Sequence, residues 1–331
     1  NWYKMRVKFK VIFYTLSYFL GIIPFFYYFN RNKRRILVYH HIIPDEYWDE
    51  KLHLTVAIKE SKFRKQLSII KRHFDYSATK IEQTIPLMIT FDDGYNCSVF
   101  SSKILDEYGF NGVYFMPISN LDSQKPLWID EILKWFSYVP YNNYQVGEEN
   151  ICIFSEADRQ IAYNRYSLKF YSNYAPQEYI SNLNSAYPMD KIDELLVPTY
   201  NKLRFHGLSM IEVNDLKNRG HVIGGHSSKH DILSKLSKTE LISDFNACQN
   251  LIGSLYNSDI FAYPFGHPRD LSADVIETCA NSKFNYAVIN DSFSAEDKYQ
   301  IPRINIAWYN NKYEIHAHLS GYVSYLKKWI K

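Results

Sequence analysis

Apolar and polar positions along the chain sort into two alternating kinds of segment. Short, nearly unbroken apolar runs at 36–40, 87–91, 112–116, 221–225, 260–263, 286–290 and 304–307 predict buried strands. Between them, apolar residues recur at helical spacing. The stretch 61–73 carries Phe63, Leu67 and Ile70, with Phe74 just beyond, and 97–108 is closed by Gly109 in the place of a C-terminal cap. Segments 209–219, 238–255, 272–281 and 313–330 also predict helices. Buried strand followed by amphipathic helix, repeated, is the pattern of an α/β fold. Residues 120–205 interrupt it. They are rich in Tyr and Asn, hold amphipathic segments such as 157–171, and show no clear strand, which predicts a helical insertion.

The opening of the chain has a different character. An apolar run at 11–29 is about as long as a bilayer span, with Lys4, Arg6, Lys8 and Lys10 before it and Arg31, Lys33, Arg34 and Arg35 after it. Gly21 and Pro24 are placed to kink or break a helix there. The segment reads as an interfacial helix on an anionic membrane surface, with Tyr, Trp and Phe at headgroup depth, or as a span. A greasy helix packed on the protein itself is the plainer alternative. No small-residue cleavage site follows the run, which argues against a removed signal. The expected location is an inner membrane with the rest of the chain in the cytoplasm, although basic residues on both flanks leave the side open.

Composition narrows the function classes. Of the 331 residues 46% are hydrophobic, enough for a sizeable core, and the net charge of +3 argues against a nucleic-acid binder. The aromatic share of 17% suits a sugar site, a core or a membrane interface equally. Cys97, Cys152, Cys248 and Cys279 form no CxxC pair and are expected to be free thiols.

Three motifs carry the chemistry, each at or just past the end of an expected strand, where α/β folds gather catalytic groups. In Thr90-Phe91-Asp92-Asp93-Gly94-Tyr95, two adjacent carboxylates call for a positive partner such as a divalent metal; a simple Asp-Gly turn is the bland reading. In Gly225-His226-Ser227-Ser228-Lys229-His230, two histidines four apart on a helical turn would face one metal, the alternative being two unrelated surface histidines. In Phe261-Ala262-Tyr263-Pro264-Phe265-Gly266, a rigid turn could aim a backbone N–H at an oxyanion and an aromatic wall at a sugar. One carboxylate and two imidazoles leave a fourth position open, as in catalytic zinc sites, and a second carboxylate stands beside them as a base.

In this order the three motifs resemble the polysaccharide deacetylase family, carbohydrate esterase family 4, also called the NodB-homology domain. Leu37-Val38-Tyr39-His40 resembles the first strand of many members, and the likeness covers about 36–120 and 206–310. The resemblance implies a distorted (β/α)7-type barrel over 36–331, with the helical insertion at about 120–205 and a membrane-associating segment at 1–35. It implies a metal, Zn2+ or another divalent transition ion, held by Asp93, His226 and His230, and Asp92 as general base toward a metal-activated water. The implied substrate is an N-acylated glycan or lipid-linked amino sugar, most simply an N-acetyl amino sugar. Rivals are a deformylase on a lipid-linked amino sugar and a catalytically inactive glycan-binding or scaffold protein. Tyr95, Tyr263, Pro264 and Phe265 are assigned to the substrate or oxyanion side. Many members carry an Arg two residues before the motif proline, where this chain has Ala262; Arg303, ahead of the expected last strand, is the candidate replacement. The late Leu-x-His motif is not clear. His40, at the end of the first strand, is preferred as general acid over His316 and His318, and His41, His221 and His267 receive no role.

Overall fold

The computed structural model describes residues 2–51, 57–290, 297–306 and 311–328. The expected end of the last strand at Ala307 and of the last helix at Ile330 lie outside the described residues. Helices α1 (Trp2–Phe19) and α2 (Ile22–Phe29) lead into β1 (Arg35–Tyr39), and β2 (Ile42–Ile43) pairs with β3 (Ile58–Lys59) ahead of α3 (Glu60–Lys71). Then come β4 (Leu87–Phe91), α4 (Cys97–Glu107) and β5 (Gly112–Met116). The insertion follows as α5 (Trp128–Tyr138), β6 (Asn142–Val146), β7 (Glu149–Ile153), α6 (Glu156–Ser172), α7 (Pro176–Ala186), α8 (Met189–Asp193) and α9 (Pro198–Phe205). The alternation resumes with α10 (Met210–Asn218), β8 (Val222–Gly225), α11 (Lys238–Gln249), β9 (Ile260–Ala262), α12 (Ala273–Ala280), β10 (Tyr286–Ile289) and β11 (Ile301–Pro302). Helices α13 (Lys312–Leu319) and α14 (Tyr322–Lys328) follow.

Seven strands form one parallel sheet in the order β1-β4-β5-β8-β9-β10-β11. Ile304, just past β11, bridges back to Leu37 of β1, accepting from Val38 N–H at 3.0 Å and donating to Ile36 O at 2.7 Å. The sheet is therefore a nearly closed barrel wrapped in helices. Strands buried on both faces explain the continuous apolar runs. Leu37, Tyr39, Leu87, Ile89, Phe91 and Tyr114 pack outward against α3 and α4, while Ile36, Met88, Val113, Phe115, Val222, Ile260 and Val288, of opposite parity, fill the interior. Helices α10 and α11 start on capping boxes, Ser209 with Glu212 and Ser237 with Glu240.

Several elements differ from expectation. The insertion contains an antiparallel hairpin, β6 with β7, as well as helices. Helix α11 stops at Gln249, because the chain turns back through the Ile252–Tyr256 bridge instead of continuing to 255. The last strand is Ile301–Pro302, earlier than 304–307, and Ile304 makes only the closing bridge. The expected 313–330 helix is two, parted at Gly321 with φ 81°, and the 11–29 run is likewise parted at Gly21 with φ 79°. Pro24 sits in the first turn of α2, where its missing N–H breaks no helical bond. Among the described residues no single helix is long and apolar enough to cross a membrane; Phe9–Phe19 and Ile22–Phe29, bent 69°, pass that test only as a pair. Tyr14 and Ile23 pack on Ala317, Tyr322 and Val323, while Phe9, Phe19, Leu20, Phe25 and Phe29 are exposed. The four cysteines are free.

Candidate active site

Asp92 and Asp93 follow β4, and His40 and His41 follow β1, so four polar side chains meet at one end of the barrel. Sharp backbone turns aim them. Asp93 has φ 78°, and its carbonyl accepts Asn120 Nδ2–H at 2.7 Å. At Gly94 (φ 66°) a Cβ would stand 2.3 Å from Met116 Cγ, so the turn admits no side chain.

His226 and His230 lie in a loop after β8, where a helical turn was expected. Ser227 and His230 have φ 64° and 59°, and Ser227 Oγ accepts His230 N–H at 2.9 Å. The left-handed residues, not helical periodicity, turn both rings to one side. His226 Nδ1 lies 2.7 Å from Ala262 O, which fixes its proton on Nδ1 and leaves the Nε2 lone pair facing Asp93 Oδ1 at 3.5 Å. His230 Nε2 stands 3.3 Å from the same oxygen. The donor atoms of Asp93, His226 and His230 all lie within 4.8 Å of one another, and all three residues are buried. One carboxylate and two imidazoles, one already in the ligating tautomer, are a fitting donor set for a divalent metal such as zinc. Burial would raise the Asp93 carboxyl, but the three imidazoles of His226, His230 and His41 hold it well below the usual carboxylate range.

Asp92 is gripped from inside the barrel. Arg303 Nη1 and Nη2 donate to its two carboxylate oxygens at 2.6 Å each, and Nη1 also reaches Thr90 Oγ1 at 3.2 Å. Arg303 follows β11 where it was expected to precede a strand. Burial pushes the Asp92 carboxyl up, yet Arg303, His226 and His40 outweigh it and hold the group below its ordinary value. His40 Nε2 is 3.9 Å from Asp92 Oδ2, and burial pushes its imidazole down toward the neutral form. His316 and His318 lie apart from this cluster. Both sit on α13, where His316 Nδ1 contacts Tyr27 Oη at 3.1 Å.

The aromatic residues of the motifs lie in different surroundings. Phe265 (φ 61°) sets its ring 5.0 Å from His230 and 6.0 Å from Trp128, a wall beside the donor set. Tyr263 turns its ring into the helix layer with Phe261 and Cys279, and its N–H goes to Val288 O at 3.4 Å, so it aims no donor at the site. Pro264 has no N–H to give. Tyr95 is buried against His41, their ring centroids 4.9 Å apart, and its hydroxyl donates to Asp130 Oδ2 at 2.7 Å and accepts from Leu127 N–H at 2.9 Å.

The insertion supplies residues that local sequence did not single out. Trp128 Nε1 donates to His230 O at 2.8 Å, and Tyr174 Oη donates to Asp231 Oδ1 at 2.6 Å, bracing the histidine loop. Asp130 and Arg204 form a buried pair at 2.8 Å beside His41. Most of the insertion's aromatic rings, Trp135, Phe136, Tyr166 and Phe170 among them, form its own core.

A polysaccharide deacetylase family model matches residues 209–283, which include the histidine loop and the Tyr263–Phe265 turn. The Streptococcus pyogenes deacetylase PplD in complex with acetate superposes with a TM-score of 0.50 at 13% identity, over 83% of this chain and 92% of that one. A polysaccharide deacetylase from Bacillus cereus gives 0.52 at 13% identity, over 87% and 69%. For one from Bacillus anthracis the figures are 0.51, 13%, 86% and 68%. These three likenesses are of fold. Comparison with curated proteins returned no match.

Proposed function

As a relative of the polysaccharide deacetylases in matched segment and in fold, the chain is, we propose, a metal-dependent hydrolase that removes an N-acyl group, most simply N-acetyl, from an amino sugar of a glycan or glycolipid. The observation that carries this reading is the pairing, at one barrel end, of a carboxylate locked to Arg303 with a second carboxylate between two imidazoles. Asp93, His226 and His230 would hold the metal, zinc by the character of the donors. A divalent cation bound there lowers the pKa of water and polarises an amide carbonyl.

The chain's own groups manage the protons. Asp92 keeps its charge through Arg303 and takes a proton from the attacking water at Oδ2. His40 Nε2, 3.9 Å from that oxygen, is placed to take the same proton from Asp92 and pass it on to the departing amine nitrogen. Phe265 offers a stacking face for the sugar ring.

A membrane surface is part of the same proposal. Residues 1–35 would hold 36–331 there, supported by eight basic and no acidic residues in that stretch and by the exposed rings of α1 and α2.

Elemental analysis of the wild type and of His226→Ala/His230→Ala, with acetate and formate release from N-acylated amino sugars, tests the reading. About one metal per chain, lost together with activity in the double variant, is expected. No metal after supplementation refutes it. Formate without acetate would reassign the acyl group.

A further inference from the structure

Asp93 has two oxygens, and only one faces His226 and His230. The other, Oδ2, points to His41 Nε2 at 3.5 Å. His41 is 1% exposed, and that nitrogen makes no hydrogen bond, so the Asp93 carboxylate meets it at ion-pair distance. Its far nitrogen, Nδ1, stands 3.5 Å from Arg204 Nη1 and 3.6 Å from Cys97 Sγ. A guanidinium can only donate. Cys97 is also a donor, because burial pushes its thiol up to about 12 and keeps the S–H. With donors on that side, His41 Nδ1 must accept, so the ring proton resides on Nε2 and is aimed at Asp93.

Arg204 is itself fixed. Its Nη2 donates to Asp130 Oδ1 at 2.8 Å, and Asp130 Oδ2 is taken by the Tyr95 hydroxyl, which the Leu127 N–H in turn holds. Asp130 lies on α5 and Arg204 on α9, the first and last helices of the insertion. The donor atoms of His41, Asp93 and Asp130 also lie within 4.8 Å of one another. The Arg204 guanidinium already serves there as counter-cation, so this triad is not a second metal site.

We propose that His41 is a positioning residue for Asp93. The Asp130–Arg204 pair sets its tautomer, and its Nε2–H holds Oδ2 so that Oδ1 stays between His226 and His230. The insertion thereby governs metal affinity from behind the carboxylate. This rests on the reading of Asp93 as a metal ligand.

The test is zinc affinity of the full chain, measured by competition with a chromophoric chelator, together with the d–d spectrum of the Co2+ form. Wild type is compared with His41→Leu, which fills the space without a donor, and His41→Gln, which restores an N–H near Nε2. Folding is checked by circular dichroism. Expected is a loss of about 10–100-fold in zinc affinity for His41→Leu, recovery to within about threefold for His41→Gln, and a Co2+ spectrum altered only in the former. Wild-type affinity in folded His41→Leu, or a His41→Gln as weak as His41→Leu, overturns the proposal. Asp130→Asn/Arg204→Met, which keeps His41 and removes the ion pair as a pair, is expected to weaken zinc at least severalfold. Unchanged affinity there removes the insertion's part. A wild type that binds no zinc at all is a different failure, that of the metal reading itself.

Discussion

Replacing Arg303 with Met is the sharpest probe of the barrel interior. Arg303 is 1% exposed and Asp92 2%, and two N–H···O contacts of 2.6 Å join them. An exposed pair would be worth at most about 1 kcal/mol. Breaking a buried pair strands a charge, and costs about 3–5 kcal/mol. The second figure applies, because His40 Nε2 at 3.9 Å is too distant to replace the fork. In the wild type the folded-state pKa of Asp92 lies below the unperturbed 3.8. The pair's stabilisation is thus complete above that pH and lost as pH falls through the lower folded value. In Arg303→Met burial prevails and lifts the Asp92 carboxyl, so acidification protonates it and relieves the stranded charge. Urea unfolding at pH 7 and pH 5 should show a large deficit at pH 7 that narrows at pH 5. The double variant Asp92→Asn/Arg303→Met should recover most of the loss. A deficit under about 1 kcal/mol, equal at both pH values, with additive single and double variants, would refute this reasoning.

Three further outcomes are expected. Trp128→Phe gives up the bond to His230 O, and should lose about 0.5–1.5 kcal/mol and shed zinc faster on dialysis; unchanged zinc off-rates would show that the brace is idle. Gly225→Ala places a Cβ 2.7 Å from Phe284 Cζ and should cost about 1–3 kcal/mol by overpacking, read from the urea midpoint. Burial, with His73, Arg72 and Lys312, pushes His316 down from 6.5 to about 4, so α13 favours the neutral ring. Its contribution is complete above pH 6.5 and lost as pH falls toward about 4. Hydrogen exchange in α1 and α2, corrected for its intrinsic pH dependence, should therefore quicken across that window, and less so in His316→Gln.

The barrel was legible where burial on both faces made strands into apolar runs: 87–91 and 112–116 coincide with β4 and β5 to the residue. The β6–β7 hairpin was hidden because its exposed face is polar. Its signal was faint but present, in the alternation of Tyr144 with Val146 and Ile151 with Ile153 around Gly147-Glu148. The spacing of His226 and His230 marks them as a pair, but four residues fit a helical turn and a left-handed loop equally, and the backbone takes the loop. His41, Asp130 and Arg204 left no local trace. They meet across 163 and 74 positions of chain, which no motif spans. Where Tyr263 and Tyr95 point is decided by strand parity and by the insertion's hydrogen bonds, both tertiary and invisible in local sequence.

The barrel's seam carries a consequence for how the chain comes off the ribosome. Leu37 and Ile304 close it, and the partner of Asp92 lies 211 positions downstream. Until Arg303 emerges, the Asp92–Asp93 doublet has no guanidinium to neutralise it, and the sheet has two open edges. Contacts of such separation form late, since the entropy of closing the loop precedes any reward. A nascent chain halted before residue 303 would hold the histidine loop, the insertion and both aspartates, yet should show low protection of the edge strands β1 and β10. Zippering the last strand into place would then complete the fold and pair Asp92 with Arg303 in a single step.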